Sequence, residues 1–182
     1  MKFVLASKSP RRKELLEKAG YSFDIMPAEG DEVINPSLSP AEEAKALALA
    51  KAKEVFEKTG RITLAADTIV SLDGAILLKP KDKKQNEEFL RLLSGRTHEV
   101  FTGYAVIGGG YYVSEVDCAK VTFNELSDAL IKEYVESGNG LDKAGGYGVQ
   151  DEYGLVKKVD GSFSCVMGLP MEKINEIIEE LK

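Results

Sequence analysis

FVLASKSPRRKELLEKAG, residues 3–20, sets a strand, a short polar turn and a helix in immediate succession. Residues 3–6 are a compact apolar run suited to a buried strand. Ser9 followed by Pro10 marks a helix start, with a hydroxyl at the cap and the imino acid at the first helical position. Gly20 marks its end. The first turn carries Arg11, Arg12 and Lys13, with Lys8 just ahead of it. This is unusual, because a helix N-terminus has a partial positive charge and attracts Asp or Glu. A strand–turn–helix start also offers free backbone N–H groups to an anion. A polyanionic ligand would turn the unfavourable cation–dipole contact into a site, with Arg gripping phosphate oxygens in pairs and Lys adding a point charge. The competing reading is a solvated basic turn, partly neutralised by Glu14 and Glu17.

Outward from this unit, FDIM (23–26) reads as a second strand, followed by a polar loop through Pro36. Ser39-Pro40-Ala41-Glu42 is a capping box opening an Ala-rich helix to about Thr59, with Gly60 as its stop. ITLAADTIVSL (62–72) is strand-like, and Asp73-Gly74 turns it into AILL as a hairpin. Residues 82–94 read as an amphipathic helix. Two long strands, HEVFTGYAVIG and YYVSEVDCAKVTF, flank the Gly108–Gly110 turn. Ser127 caps a further helix to about Gly138, and LDKAGGYGVQ (141–150) reads as a loop. YGLVKKVDGSFSCVMG reads as a hairpin about Asp160-Gly161, and Pro170 starts the last helix. Helices and hairpin-joined strands intermix, which predicts a mixed α/β fold rather than a purely parallel sheet. No linker, repeat or low-complexity segment divides residues 1–182, so a single domain is expected.

At 182 residues the chain can bury one sizeable core, or two small lobes sharing a cleft. A net charge of −6 argues against nucleic acid as a partner. Cys118 and Cys165 are far apart and show no metal spacing, so both are expected as small apolar residues in strands, in keeping with a reducing cytosol. The apolar run in MKFVLASKSPRR is too short for a signal peptide and no stretch could span a bilayer, so the expected location is cytoplasmic, away from membranes.

AADTIV (65–70) places Asp67 inside an otherwise apolar strand, where Asp is depleted. A buried carboxylate needs a cation, donors or a metal. The alternative is an Asp at a strand end, capping a turn. LKP (78–80) puts Lys79 after the hairpin, able to face the same cleft as Asp67, although alone it would be an ordinary surface lysine. Lys51 and Lys53 on the Ala-rich helix default to a solvated face. Asp31 and Glu32 in a loop are candidate hard-cation ligands, or simply solvated acids. In 141–150 the glycines allow close approach to a ligand, and the Gln150 amide can pair with the donor and acceptor edge of a base; a flexible surface loop is the other reading. His98 is the only histidine, which excludes a two-His metal site, argues against a Ser-His-Asp triad and leaves it a structural role. A basic phosphate cradle, isolated carboxylates and a Gly-rich loop ending in an amide together describe a nucleotide site using a divalent metal. GxxxxGK[ST] is absent, so this is not a P-loop protein.

These segments resemble the Maf family of nucleoside triphosphate pyrophosphatases. The resemblance rests on LASKSPRRKELL (5–16), the DE pair at 31–32, AKAK (50–53), AADTIV (65–70), LKP (78–80), SGRTHEV (94–100), LDKAGGYGVQ (141–150) and GSFSCVMGLP (161–170), in order along nearly the whole chain. It implies an elongated, twisted mixed sheet with flanking helices and two lobes around a deep cleft, as in the inosine triphosphate pyrophosphatases. It also implies hydrolysis of a nucleoside triphosphate to monophosphate and pyrophosphate, and a homodimeric assembly. Arg11, Thr68 and Gln150 match the branch acting on dTTP and UTP. Gln150 suits a pyrimidine, accepting from N3–H while donating to O4; a 5-methyl adds little discrimination, so 5-modified pyrimidines fit as well. In the mechanism so implied, Asp67 is the general base and touches a Mg²⁺ or Mn²⁺ ion, with Glu32 as the second acid and metal ligand. Arg11, Arg12, Lys53 and Lys79 hold the triphosphate, and Ser7 and Ser9 complete the cradle with the helix amides. Two other classes stay open: a nucleotide-binding regulator of septum formation with little turnover, and an editing hydrolase for non-standard purine nucleotides.

Overall fold

The computed structural model describes residues 2–30 and 32–181; Asp31 lies outside them. In chain order the elements are β1 (Lys2–Leu5), α1 (Pro10–Lys18), β2 (Ser22–Ile25), α2 (Pro40–Thr59), β3 (Thr63–Leu72), β4 (Ala75–Leu77), α3 (Lys83–Leu93), β5 (Thr97–Gly108), β6 (Tyr111–Phe123), α4 (Asp128–Ser137), a 3-10 turn (Ala144–Gly146), β7 (Val156–Asp160), α5 (Phe163–Met167) and α6 (Met171–Glu180). The strands form one seven-stranded sheet in the order β2-β1-β3-β5-β6-β7, with β4 added to β3. β1 is parallel to β2 and β3, and the remaining pairs are antiparallel. The mixed α/β class follows.

Alternation along β3 and β5 sends their side chains to two faces. On one face, Ala65 and Ala105 pack with Ala52 and Val55 of α2. On the other face there are two separate cores. Ala66, Tyr104 and Val106 join Leu16 of α1 and Ile174 and Ile178 of α6 at one end. Val70, Leu72 and Val100 join Leu90, Leu93, Ile131 and Tyr134 of α3 and α4 at the other. These are the two lobes. Between them on that face sit the hydroxyls of Thr68 and Thr102, 2.9 Å apart.

α2 forms as its sequence directs. The Ser39–Glu42 capping box is complete, and Gly60 ends the helix in the left-handed conformation. Its backbone lies directly on β5 at Gly103, where a Cβ would stand 2.1 Å from the Ala44 carbonyl oxygen. Gly103→Ala must therefore push α2 off the sheet. It is expected to cost about 3 kcal/mol and to lower the melting temperature by roughly 6–12 °C, which thermal unfolding checks. The Asp73-Gly74 turn has positive φ at both residues, 51° and 82°, as a tight hairpin requires.

One element differs from its sequence reading. GSFSCVMG is not the second arm of a hairpin: β7 ends at Asp160 and pairs with β6, and the chain then turns into α5. The Ser162 hydroxyl accepts from the Cys165 amide at 3.1 Å, so a helix cap captures a segment too short to reach another strand. Cys165 is consequently buried in a helix, while Cys118 stands on β6 as expected but is exposed. Among the described residues no helix is long and apolar enough to cross a membrane.

Candidate active site

The sheet splits along one edge of β3. β1 pairs with it only at Thr63 and Leu64, and β4 joins only from Val70. Among the described residues, 65–69 thus have no strand neighbour on that side, and a cleft of about 660 Å³ opens there. Asp67 and Thr68 project to opposite faces of the sheet yet both line it. The polar residues of AADTIV are therefore there because this piece of strand is a wall of the cleft rather than an interior rung.

The turn after β1 and the start of α1 form the next wall, with Ser7, Ser9, Arg11 and Arg12 all lining the cleft. Ser9 occupies the N-cap, but its side chain makes no capping bond. The Ser9 amide instead donates to the Ser7 hydroxyl at 3.1 Å, which also accepts from Arg12 Nη1 at 3.1 Å. Both lone pairs of Ser7 are used, so its own proton is free for an acceptor in the cleft. Arg12 further donates through Nε to the Gly168 carbonyl at 2.6 Å and through Nη2 to Thr68 at 3.1 Å. Burial lowers the Arg12 pKa, as does Arg11 beside it, and Asp67 and Glu32 act in the opposite direction. Arg11 reaches across the cleft to Asp142 at 3.2 Å.

Asp67 is 7 % exposed and hydrogen-bonds the Lys51 ammonium of α2. The same ammonium meets Glu32 at 2.5 Å, so one cation sits between the two carboxylates. Burial works against the ionised form of Glu32, but the Lys51 bond and charge, with Lys79 and Arg12, outweigh it and hold its pKa below the usual carboxylate range. Lys79 is exposed and lines the same cleft. Lys53 does not: its ammonium lies 5.9 Å from the centre of the Tyr112 ring, outside the cleft lining. The two lysines are about 200° apart around the helix, so only one can face Asp67, and it is Lys51. The loop carrying Glu32 is tied down by Glu54, whose carboxylate accepts from the amides of Glu29 and Gly30 at 2.9 and 3.1 Å.

The opposite wall is the 141–150 segment, which is anchored by α3, α4 and β5 and by the residue after β4. The Gly145 amide donates to the Leu78 carbonyl at 3.2 Å, and buried Asn86 of α3 donates to the Gly146 carbonyl at 2.7 Å. The Gly148 amide reaches Tyr134 of α4 and Asp151, each at 3.1 Å. The Tyr147 hydroxyl pairs with His98 Nε2 of β5 at 2.7 Å. Burial pushes the His98 pKa down to about 4, so the ring is neutral near pH 7 and its role is to hold Tyr147. Gln150 ends the segment, exposed and lining the cleft. Sequence reasoning missed Lys51, Glu54, Asn86 and Tyr134. The helical phase of α2 is a signal that could have found Lys51; for the others, single long-range bonds leave no local pattern.

A family profile described as Maf-like protein matches residues 2–181. The chain belongs to the Maf-like family. Its Maf relatives include the dTTP/UTP pyrophosphatase of Bacillus pumilus (strain SAFR-032), 45% identical over 97% of this chain and 94% of that protein. Another, the dTTP/UTP pyrophosphatase of Bacillus anthracis (strain CDC 684 / NRRL 3495), is 45% identical over 100% of this chain and 94% of its own. Among solved structures, a HAM1 protein from Coxiella burnetii matches this Maf chain with a TM-score of 0.56 at 15% identity, covering 99% of both. That likeness is one of fold.

Proposed function

We propose that this Maf protein hydrolyses nucleoside triphosphates at the α-phosphorus, releasing the monophosphate and pyrophosphate, with dTTP and UTP as substrates. The observation that carries the reading is the arrangement along the free edge of β3. Arg11, Arg12 and Lys79 line a cleft that also holds Asp67 and Glu32, and Gln150 lines the wall beyond. Cations alone would serve to bind a polyphosphate; the acids add a means of activating water. The 45% identity to proteins named dTTP/UTP pyrophosphatases over essentially the full chain supports the same substrates.

The donor set fits a hard divalent cation. Asp67 and Glu32 already share one cation, the Lys51 ammonium. Mg²⁺ commonly takes one or two carboxylates and completes its shell with substrate phosphates and water. Asp67 and Glu32 are the two carboxylates that would hold it. When bound, such an ion supplies charge neutralisation and a lowered pKa for water.

The chain's own groups then divide the work. Arg12 has five N–H donors, of which three are engaged with protein, leaving one on each terminal nitrogen for phosphate oxygens. The Ser7 hydroxyl, the uncapped amides of α1 and Arg11 add donors around the same group, and Lys79 adds charge. Together they stabilise the negative charge that builds on the departing pyrophosphate. Asp67 accepts the proton of the attacking water at a carboxylate oxygen. Gln150 reads the base edge. That segments spread from Ala6 to Gly168 line one cleft supports the whole chain working as one domain.

Product analysis tests this. With Mg²⁺, dTTP and UTP should yield pyrophosphate and not orthophosphate, and should outrun CTP and the purine triphosphates. Binding without turnover would replace the reading with a nucleotide-binding regulator. Gln150→Ala should narrow the preference for dTTP and UTP over CTP by about tenfold, a loss of one base-edge contact, with kcat for dTTP changed less. An unchanged ranking would remove Gln150 as the reader.

A further inference from the structure

The seam between the two lobes holds a chain of hydrogen bonds whose direction follows from chemistry. Arg12 Nη2 can only donate, and it donates to Thr68 Oγ1 at 3.1 Å. At the far end the fully buried Thr102 hydroxyl donates to the Cys165 carbonyl at 2.8 Å, and a carbonyl can only accept. The single Thr102 proton is thereby committed, so in the Thr68–Thr102 contact at 2.9 Å Thr68 must be the donor. The order is fixed: Arg12 to Thr68, Thr68 to Thr102, Thr102 to the α5 backbone. Thr68 lines the cleft but has no proton left to offer a substrate oxygen.

The same short helix holds Arg12 twice. α5 supplies the Cys165 carbonyl at the end of the chain, and Gly168 directly after it accepts from Arg12 Nε at 2.6 Å. Gly168 has φ of 109°, and a Cβ there would come within 3.2 Å of Thr68 Oγ1 and 3.4 Å of Arg12 Nε. The guanidinium is therefore gripped at two edges by groups registered to one backbone segment. α5 is in turn braced by Ser162 and Ser164, whose hydroxyls both reach Glu172 of α6, at 2.8 and 3.0 Å.

We propose that Thr102 is a positioning residue for the triphosphate clamp: through Thr68 it fixes the plane of the Arg12 guanidinium, so that its two remaining N–H groups meet the phosphates already oriented. This rests on the reading of Arg12 as a phosphate ligand. Thr102 touches no substrate; it stands on β5 directly opposite Thr68 and acts only through it. A guanidinium left to rotate about its last torsion would bind the same ligand from many orientations, and the loss would appear in binding rather than in the chemical step.

The test compares Thr102→Val, Thr102→Ser and Arg12→Ala with the parent protein. It measures KM and kcat for dTTP with Mg²⁺, and Kd for inorganic pyrophosphate by calorimetry. Thr102→Val keeps the shape and removes the hydroxyl. KM and Kd should each rise about tenfold, the size of one charge-assisted hydrogen bond, with kcat within about twofold, and Thr102→Ser should restore both. A purely structural hydroxyl would lower the melting temperature and leave KM and Kd unmoved, which overturns the proposal. If Arg12→Ala itself leaves KM and Kd unchanged, the phosphate-ligand reading fails first, and the two failures are told apart. Should Thr102→Val not fold, Thr102→Cys, which retains a weak donor, carries the same readout at smaller amplitude.

Discussion

Asp67→Asn is expected to fold normally and to lose about 10²- to 10⁴-fold in kcat for dTTP, the range that a positioned general base contributes. The two side chains are nearly the same size, and the amide oxygen can still accept from Lys51, so the melting temperature should move by only a few degrees, on the order of 1 kcal/mol. What the amide cannot do is take a proton from water. Steady-state pyrophosphate release beside thermal unfolding separates these effects. A kcat close to that of the parent would remove Asp67 from its role, whatever happened to stability.

Lys51→Gln is expected to reduce kcat/KM by about 10²-fold, typical of losing one charged partner in a preorganised site, and to change the shape of the pH profile. Burial disfavours the Glu32 carboxylate, and the Lys51 bond and charge reverse that effect. Without the ammonium, burial acts unopposed by its nearest partner and the pKa of Glu32 rises. The ionised form then appears only at higher pH, so the acid limb of kcat/KM should move upward. A pH–rate profile from pH 5 to 9 checks the sign. An acid limb that stays in place while activity falls would mean that Lys51 contacts substrate and does not tune the acids.

Much of the frame is legible locally. The Ser39 capping box, Gly60 and the Asp73-Gly74 turn are signals confined to a few residues, and each element ends where they say. α5 is hidden because FSCV (163–166) reads as strand and the Ser162 cap, one hydrogen bond, says otherwise. The site shows the same division. That Asp67 was out of place in an apolar strand is visible from its neighbours. Which lysine meets it is a matter of helical phase. Ala44, Ala48, Ala52 and Val55 mark the buried stripe of α2, and at about 100° per residue Lys51 lies beside that stripe and Lys53 nearly opposite. The stripe is readable in the sequence, and the two lysines fall on different sides of it. The Thr68–Thr102 seam and the Asn86 and His98 anchors of the 141–150 wall join residues 34 to 60 positions apart. Such pairings exist only once the sheet has formed.

The interrupted edge of β3 has a cost that its length contains. Unpaired strand edges act as templates for strands of other molecules, and long open ones lead to aggregation. Here β1 closes the edge up to Leu64 and β4 closes it again from Val70. The remaining window, residues 65–69, is no longer than one ordinary strand of roughly 5–6 residues, and Asp67 stands in the middle of it, held by the Lys51 ammonium. A ligand the size of a nucleotide can enter such a window, whereas a foreign strand would have to fit between β1 and β4, which close it at both ends. Access to this stretch of β3 therefore leaves little open edge for aggregation.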